Sequence, residues 1–198
     1  LTGNFNPYEM ACLVEDNLSK KKFGKYLNPI IIKENEPKKV TTKYKEEYIN
    51  VTYPRLKFSI KMDMSRFKNY SSLELKILTS LLFNINFGAT SDFKDELMEK
   101  GLIQNMNVTC DVYDDTFVVT INVTSNFKEE IIKKVKEKLE NLSISELDFK
   151  RKKNATIATL ILDYEDLENV SYRIQDDVLN NGGIVTNLKE ILEDETID

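Results

Sequence analysis

The chain has no histidine among its 198 residues. Histidine is the commonest general base and a usual zinc ligand, so its absence excludes imidazole-based catalytic triads and the familiar histidine zinc sites. Carboxylates and lysines remain. The acidic pairs Glu129-Glu130 and Asp176-Asp177 lack the spacing of a calcium loop, and we interpret them as solvated helix faces. We therefore predict that this chain carries no catalytic residue, no cofactor-binding residue and no metal ligand.

Cysteine is also scarce, with two residues in the chain. Cys12 falls on a predicted helix face and Cys110 on a predicted strand face, and neither has a second cysteine at metal-ligand spacing. We predict that both are reduced, buried thiols.

Three further features are missing. No apolar run approaches the roughly 20 residues of a membrane helix, and the first ten residues lack the layout of a signal peptide. The basic residues are dispersed, and 33 acidic against 28 basic side chains give a net charge of -5. A basic face for nucleic acid is therefore absent. These observations predict a cytoplasmic protein of bacterial type with neither nucleic acid nor membrane as a partner, and an apolar content of 41% supports a real core.

The N-terminal segment predicts a strand followed by a helix. Thr2–Phe5 is typical of the end of a strand, Asn6 is suited to cap a helix, and Pro7 suits its first position. The helix has an apolar stripe that we expect to be buried, formed by Met10, Leu13, Val14 and Leu18. We assign residues 1–22 to this piece and residues 23–47, with two prolines and many charges, to a linker.

Residues 48–198 predict a domain of α+β class. Residues 56–62 alternate as a half-buried strand, residues 72–86 have the spacing of a core helix, and residues 108–123 form a hairpin around Asp114-Asp115. Helices are predicted from Phe127, from Ser145 and from Asp166. We expect an antiparallel-rich sheet with helices packed on one face.

The stretch FGATSDFKDELMEKGLIQ, from Phe87 to Gln104, predicts two helices in close succession. Phe87 and Gly88 end the first helix, and Thr90 or Ser91 can cap the second. Gly101 ends the second helix in turn.

Several stretches in order resemble one known family. They are LTGNFNPYEM, FGATSDFKDELMEKGLI, DFKRKKNATIATL and DYEDLENVSYRIQDDVLNNG, and they resemble the C-terminal half of the pitrilysin, or inverzincin, zinc peptidases. This is the family of insulin-degrading enzyme and mitochondrial processing peptidase, and its bacterial two-domain members are most similar. The resemblance implies a metallohydrolase-like second domain, with residues 1–22 as the last strand and helix of a truncated first domain. It also implies that zinc and its H-x-x-E-H motif belong to the N-terminal half, upstream of this chain.

The same resemblance draws attention to two residues. In active family members the segment equivalent to residues 97–104 often has the sequence Leu-Arg-Glu-Lys-Arg-Gly-Leu-Ala-Tyr, and its Arg and Tyr reach the substrate near zinc. With one residue deleted before Gly101, Met98 stands at the Arg position and Gln104 at the Tyr position. Neither side chain can make the same contact with the substrate, because Met98 has no hydrogen-bond donor and Gln104 is a neutral, weaker donor. The alternative is that this segment is a helix and its cap that pack against the sheet.

Two functions follow from the resemblance. The first is the non-catalytic half of a zinc-dependent endopeptidase, which closes the substrate chamber and helps to position a peptide. Its partners would be a peptide or protein substrate, its own N-terminal catalytic domain and a homologous subunit. The alternative is a fragment of a degenerate, non-catalytic homologue that acts as a peptide-binding or scaffold partner of an active peptidase. A free-standing ferredoxin-like binding domain is a third, weaker hypothesis. In each case the chain alone is not expected to be active.

Overall fold

The computed structural model describes residues 3–25, 37–113 and 116–194. They fall into two compact units. Of the described residues, unit 1 combines residues 3–25 with residues 160–186, and unit 2 contains residues 37–113, 116–159 and 187–194. The boundaries at residues 22 and 47 stay a prediction. The helices are α1 (Pro7–Ser19), α2 (Ser72–Phe87), α3 (Asp92–Glu99), α4 (Lys128–Glu140), α5 (Glu146–Asp163), α6 (Leu167–Asn181) and α7 (Leu188–Asp194).

Unit 2 is built on a three-stranded antiparallel sheet. Its strands are β1 (Arg55–Asp63), β2 (Asn105–Tyr113) and β3 (Thr116–Thr124), in the order β1-β3-β2. The hairpin partners β2 and β3 were predicted, although residues 114 and 115 at its turn lie outside the described residues. Since β3 pairs on both sides, its alternate apolar side chains are the best buried of the sheet.

Helices cover one face of this sheet, as predicted. Side chains from α2, α3 and α4 join those of the strands in one core, whose buried members are Phe83, Phe87, Leu97, Leu102, Ile103, Met106, Phe117, Val119, Ile121, Val123, Ile131 and Val135. The unit is therefore α+β with a single hydrophobic core on one side of the sheet. A capping box at Ser71 and Glu74 begins α2, which is the longest helix of this core.

A buried amide joins α2 to the loop that precedes α5. The Asn86 Nδ2 atom donates to the Ser143 carbonyl oxygen at 3.0 Å, and the Ser143 backbone N–H donates to Asn86 Oδ1 at 3.3 Å. Helix α7 was not predicted from the sequence. Its Leu192 is 2% exposed, and the Lys153 ammonium of α5 donates to the Glu193 carbonyl oxygen at 2.6 Å. This short helix therefore contributes to the packing of unit 2.

In unit 1, α1 begins as predicted. Asn6 Oδ1 accepts a hydrogen bond from the Tyr8 backbone N–H at 3.0 Å, and Pro7 occupies the first turn. The predicted strand at its start is wrong for the described residues, because residues 3–5 form bends. Thr2 lies outside the described residues.

The predicted burial of the α1 stripe is also wrong. None of the 13 residues of α1, all of them described, is buried, and Leu13, Val14 and Leu18 are 62%, 40% and 42% exposed. Cys12 is exposed as well, contrary to the prediction of a buried thiol. The spacing predicted correctly which residues share a face, but no surface within unit 1 buries that face.

The assignment of residues 23–47 to a linker stays a prediction. Residues 23–25 and 37–47 form neither helix nor strand and are exposed, whereas residues 26–36, with the apolar run at 30–32, lie outside the described part. Helix α6 begins where it was predicted, and Asp166 caps it, because its Oδ1 accepts from the Glu168 and Asn169 backbone N–H groups. It ends at Gly182 with φ of 72°, as the Asn-Gly-Gly pattern predicted. No helix among the described residues is long and apolar enough to span a bilayer.

Candidate functional site

Gly88 and Ser91 form the turn between α2 and α3. The Gly88 backbone N–H donates to the Asn84 carbonyl oxygen at 2.9 Å. A Cβ atom at position 88 would lie 2.3 Å from that same oxygen, so only glycine fits. Ser91, rather than Thr90, caps α3, because its Oγ accepts from the Lys94 backbone N–H at 3.3 Å. The two helices are therefore held in close succession by one glycine and one serine.

The end of α3 is a Schellman motif. Gly101 has φ of 66°, the Leu102 backbone N–H donates to the Leu97 carbonyl oxygen, and the Gly101 N–H donates to that of Met98, both at 2.9 Å. Leu97 and Leu102 are both buried, which is the apolar contact typical of this motif. The chain leaves this turn as β2.

The two residues singled out by the resemblance lie on either side of this turn. Met98 is 46% exposed on α3. Gln104 is exposed immediately before β2, and its backbone N–H donates to the Thr124 carbonyl oxygen at 2.9 Å. Both side chains are thus available to solvent, while the backbone around them is fixed by α3 and the sheet.

The outer face of the sheet, opposite the helices, is polar. Cross-strand rows on this face are set by the register, which pairs Thr120 with Ser59 on one side and Thr109 on the other, and Asn122 with Lys57 and Asn107. The hydroxyls of Ser59 and Thr120 are 3.2 Å apart, and Asn122 Nδ2 donates to Asn107 Oδ1 at 2.9 Å. This face can therefore offer hydroxyl and amide groups to a polar ligand.

Charge on the outer face is divided between its two edge strands. β1 has Arg55, Lys57 and Lys61 on this face and the carboxylate of Asp63 at its end, whereas β2 has Asp111, which lies beside Val118 in the same row as Lys61. The Lys61 ammonium donates to the Pro37 carbonyl oxygen, so the segment after residue 36 lies against the end of β1.

A second contact holds the segment after residue 36 against the end of β1. The Lys38 ammonium lies 2.9 Å from the Asp63 carboxylate. This hydrogen bond, together with those from Ser65, lowers the pKa of Asp63 to about 2. The carboxylate therefore stays ionised, and available to pair with Lys38, down to about pH 2.

Residues 44–46 are held against the start of α4. The Lys128 ammonium donates to Glu46 Oε1 at 2.9 Å and lies 5.4 Å from the centre of the Tyr44 ring, and the Tyr44 hydroxyl donates to the other Glu46 oxygen at 2.9 Å. Hydrogen bonds from Lys128 and Tyr44 lower the pKa of Glu46, and those with Tyr44 and Glu46 raise the pKa of Lys128. The described end of the linker is thus tied to unit 2 at two places.

Cys110 lies on the helix side of β2 and is half-buried. Burial raises the pKa of its thiol to about 11, Asp111 adds to the shift, and nearby Lys76 of α2 opposes it. A thiol with a pKa this high is a poor nucleophile at neutral pH. Cys110 is therefore a structural residue, and the prediction of burial holds for it only in part.

Among the described residues, no group of three or more cysteines, aspartates or glutamates is placed to hold a metal ion. A zinc site needs three or four such ligands around one point. The described residues therefore form no such zinc site, and the absence of a metal ligand from the whole chain stays a prediction.

The chain matches one protein-family model, described as the Peptidase M16 inactive domain, over residues 1–156. That match covers well over half of the chain. The chain belongs to the M16 peptidase family. The part of the family it matches is the inactive domain, as the resemblance to the pitrilysin C-terminal half implied, and no curated protein matches it.

Solved structures of M16-like proteins share this fold. A putative M16-like peptidase from Alicyclobacillus acidocaldarius superimposes with a TM-score of 0.78 at 17% identity, over 98% of this chain and 47% of its own. A protease from Helicobacter pylori gives 0.67 at 18% identity, over 98% and 48%. The chain thus spans about half the length of these two structures.

A third M16-like structure is more distant. It is a mutant of the ferredoxin protease FusC in complex with Arabidopsis ferredoxin, with a TM-score of 0.52 at 16% identity, over 70% of this chain and 16% of its own. At such identities the likeness establishes the M16 fold alone.

Sequence patterns missed the polar contacts of this M16 domain. Lys38 and Asp63, and likewise Glu46 and Lys128, are far apart in the chain, and lysines and carboxylates are too frequent for a pairing to be inferred. The polar side of β1 and β3 was visible in their alternation, but its rows depend on strand order and register, which alternation does not specify.

Proposed function

We propose that this domain is the non-catalytic half of a zinc-dependent endopeptidase, which closes the substrate chamber and helps to position a peptide. The observation that carries the proposal is the match to the M16 inactive domain, combined with relatives of known structure about twice as long. A catalytic half of comparable size would lie upstream in the whole protein.

Zinc would belong to that other half. When bound, it would polarise the scissile carbonyl and activate a water molecule. The proposed part of this chain is to bind and orient the peptide, which can contribute much of the rate enhancement by fixing the reacting groups in position. The hydroxyl and amide rows of the outer sheet face, including Ser59, Thr120 and Asn122, support this role because they can pair with peptide polar groups.

The proposed substrate is a peptide or a protein. The FusC structure, which contains a protein bound to an M16-like relative, supports a protein substrate by analogy. Further proposed partners are the chain's own catalytic half and a homologous subunit.

A second function is favoured by Met98 and Gln104. In active members of the pitrilysin family an Arg and a Tyr at these positions contact the substrate. Here the exposed side chains of Met98 and Gln104 take their places and cannot make the same contacts. The parent protein would then be a degenerate homologue that binds peptides for an active partner subunit.

The experiment that separates the two functions uses the whole parent protein and a variant that lacks residues 48–198. For an enzyme we expect about one zinc per chain, cleavage of quenched fluorescent peptides and inhibition by a chelator. Removing residues 48–198 should lower kcat/KM by at least about tenfold, about 1.4 kcal/mol, while the remaining half keeps its zinc. A parent protein that binds peptides but holds no zinc and cleaves none would contradict the proposal and favour the scaffold function.

A further inference from the structure

One end of the outer sheet face is shielded from solvent. Helices occupy the other face, so the residues of β1 that lie on the outer face are expected to be exposed. Lys57 and Ser59 are exposed in this way. Lys61 and Asp63, farther along the same face, are half-buried, and the alternation of exposure along β1 ends there. Thr116 of β3, which pairs with Asp63, is 7% exposed. This end of the outer face is therefore covered.

Residues 37–47, which we call the strap, begin at the covered end. The Lys61 ammonium donates to the Pro37 carbonyl oxygen. The Lys38 ammonium lies 2.9 Å from the Asp63 carboxylate, and the Asp63 side chain is 17% exposed whereas that of Lys38 is 69% exposed. The start of the strap thus contacts the two half-buried residues of β1 and lies on their solvent side.

The strap is held at its other end by a second ion pair. Glu46 accepts from the Lys128 ammonium at the start of α4, at 2.9 Å. Between the two ends no apolar side chain of the strap is buried, because residues 37–47 are all exposed, including Val40 at 51% and Tyr44 at 62%. The strap is therefore held mainly by charge, at both ends.

Contacts of this kind make the strap removable. Ion pairs between exposed side chains contribute little to stability, and dissolved salt screens them. A segment without buried apolar contacts can open while the core stays folded. The strap has four lysines and two glutamates, and it lies on a chain whose net charge is -5. A higher salt concentration should therefore release it.

Acid is a less effective way to release the strap. The hydrogen bond from Lys38 lowers the pKa of Asp63 to about 2, and the hydrogen bond from Lys128 lowers the pKa of Glu46. Both carboxylates therefore stay ionised at neutral pH and in mild acid. Salt, or the loss of a lysine charge, is the change that separates the two pairs.

We propose that the strap is a removable cover over the end of the outer sheet face formed by Lys61, Asp63 and Thr116, and that it opens as a unit when its ion pairs are screened or neutralised. The inference rests on the proposed function only in that a peptide uses this face. With the strap closed, a peptide reaches the row of Ser59 and Thr120. Opening adds the next two rows, those of Lys61 and Asp63, so the open state accepts longer peptides.

The first experiment measures how well the strap covers Lys61. The whole 198-residue chain is labelled briefly with an amine-acylating reagent at about 0.05 M and about 0.5 M sodium chloride. Mass spectrometry compares Lys61 with Lys57, the exposed reference on the same face of the same strand. Labelling of Lys61 relative to Lys57 should rise about threefold with salt. An unchanged ratio would overturn the proposal.

Matched variants test the first ion pair. Lys38→Met removes it, and Lys39→Met removes the neighbouring charge but leaves the pair in place. With folding checked by circular dichroism, Lys38→Met should raise the low-salt labelling of Lys61 to the value that the original chain shows at high salt. Lys39→Met should leave the labelling unchanged. Equal effects of the two variants would overturn the proposal.

Variants at the far end test whether the strap opens as a unit. Glu46→Gln removes the ion pair with Lys128, whereas Glu47→Gln removes a carboxylate that pairs with Lys45 inside the strap. Glu46→Gln should raise the labelling of Lys61 about twofold, and Glu47→Gln should not. If Glu46→Gln leaves Lys61 as poorly labelled as before, the two ends act independently and the proposed cover is wrong.

Peptide cleavage by the whole parent protein tests the link to the proposed function. Lys38→Met should lower KM about threefold for a peptide of about fourteen residues and leave KM nearly unchanged for one of about six. Equal changes for the two peptides would overturn this link. If the parent cleaves peptides but Lys61 labelling does not respond to salt, the cover fails and the peptidase assignment stands. If the parent is inactive and Lys61 labelling responds as described, the reverse holds.

Discussion

The Ser91 hydroxyl donates a hydrogen bond to the Gly88 carbonyl oxygen at 2.9 Å, and the same oxygen atom of Ser91 accepts from the Lys94 backbone N–H. Ser91 therefore caps α3 and also links α3 to the residue that follows α2 through a hydrogen bond. Because Ser91 is 2% exposed, water cannot replace these bonds without a rearrangement. The position of Met98 and the start of β2 both depend on this turn.

Substitutions at this turn should lower stability. Ser91→Ala removes the cap and should lower the free energy of unfolding by about 1–2 kcal/mol. Gly88→Ala places a methyl group against the Asn84 carbonyl oxygen and should cost roughly 1–3 kcal/mol. Gly183→Ala is the control, because a Cβ atom there meets nothing within 4 Å. Urea unfolding measures all three, and equal midpoints for Gly88→Ala and Gly183→Ala would contradict the steric argument.

Asp63 should titrate far below an ordinary aspartate. Its pKa in the folded chain is about 2, whereas it is about 3.9 in an unfolded chain. A lowered folded-state pKa means that the stabilisation is fully present above about pH 4 and is lost as pH falls through about 2. Lys38→Ala should move the titration midpoint of Asp63, followed by NMR of its carboxyl carbon, upward toward the ordinary value. A midpoint unchanged by this substitution would show that Lys38 is not the main cause.

Limited proteolysis should first cut within residues 23–47 and leave a stable piece that begins near Glu47. The described parts of this segment have no helix or strand, and exposed irregular backbone is the preferred substrate of proteases. The contact of Glu46 with Lys128 should protect the end of the segment. Lys128→Ala should therefore speed cutting near Tyr44, while Lys133→Ala, on the same helix, should not. Mass spectrometry identifies the cuts, and a first cut within residues 72–142 would refute this organisation.

The exposed stripe of α1 should drive association. Burying four such side chains is worth on the order of 6 kcal/mol at roughly 1.5 kcal/mol each, which exceeds the cost of ordering them. Cover by another copy or by residues 48–198 was expected from the sequence; since no described residue buries the stripe, another copy is the remaining expectation. Replacing Val14 and Leu18 with lysine should lower the apparent mass in light scattering, whereas Cys12→Lys, which adds a charge on the opposite side of α1, should not. Monomers for all three proteins, with fast hydrogen exchange in α1, would contradict the prediction.

The isolated chain should contain no stoichiometric zinc and cleave no peptide. It has no histidine, and its described carboxylates and thiols do not converge in a group of three. Elemental analysis of the protein after dialysis in calcium-free buffer measures the zinc bound per chain, with a zinc solution of known concentration as the standard. One tightly bound zinc per chain, together with cleavage that a chelator stops, would refute this prediction.

Local patterns predicted most of the elements, and they failed where an element depends on what lies beside it. The alternation from Leu56 to Met62 and the helix that starts at Asp166 were each visible in the local sequence, and both are found in the structure. The apolar spacing of α1 shows which side chains share a face, but it cannot show whether this chain supplies the surface that covers them. α7 has only seven residues, too few for a periodic pattern to be distinguished from chance.

The candidate site was predictable only in part. Met98 and Gln104 were found through the family resemblance, because their side chains have no chemistry that would single them out. The position of β2 at the edge of the described sheet could not be found in this way, since being at an edge is a property of strand order. An alternating strand has the same pattern in the centre of a sheet and at its border.

The strand order also determines when this sheet can exist during synthesis. β1 and β2 do not pair with each other, and each is joined to the sheet only through β3, which is the last of the three in the sequence. A ribosome that has released residues 55–113 has therefore released two strands that have no mutual partner. The sheet is complete only when Thr124 has emerged, because β1 and β2 both pair with the nine residues of β3.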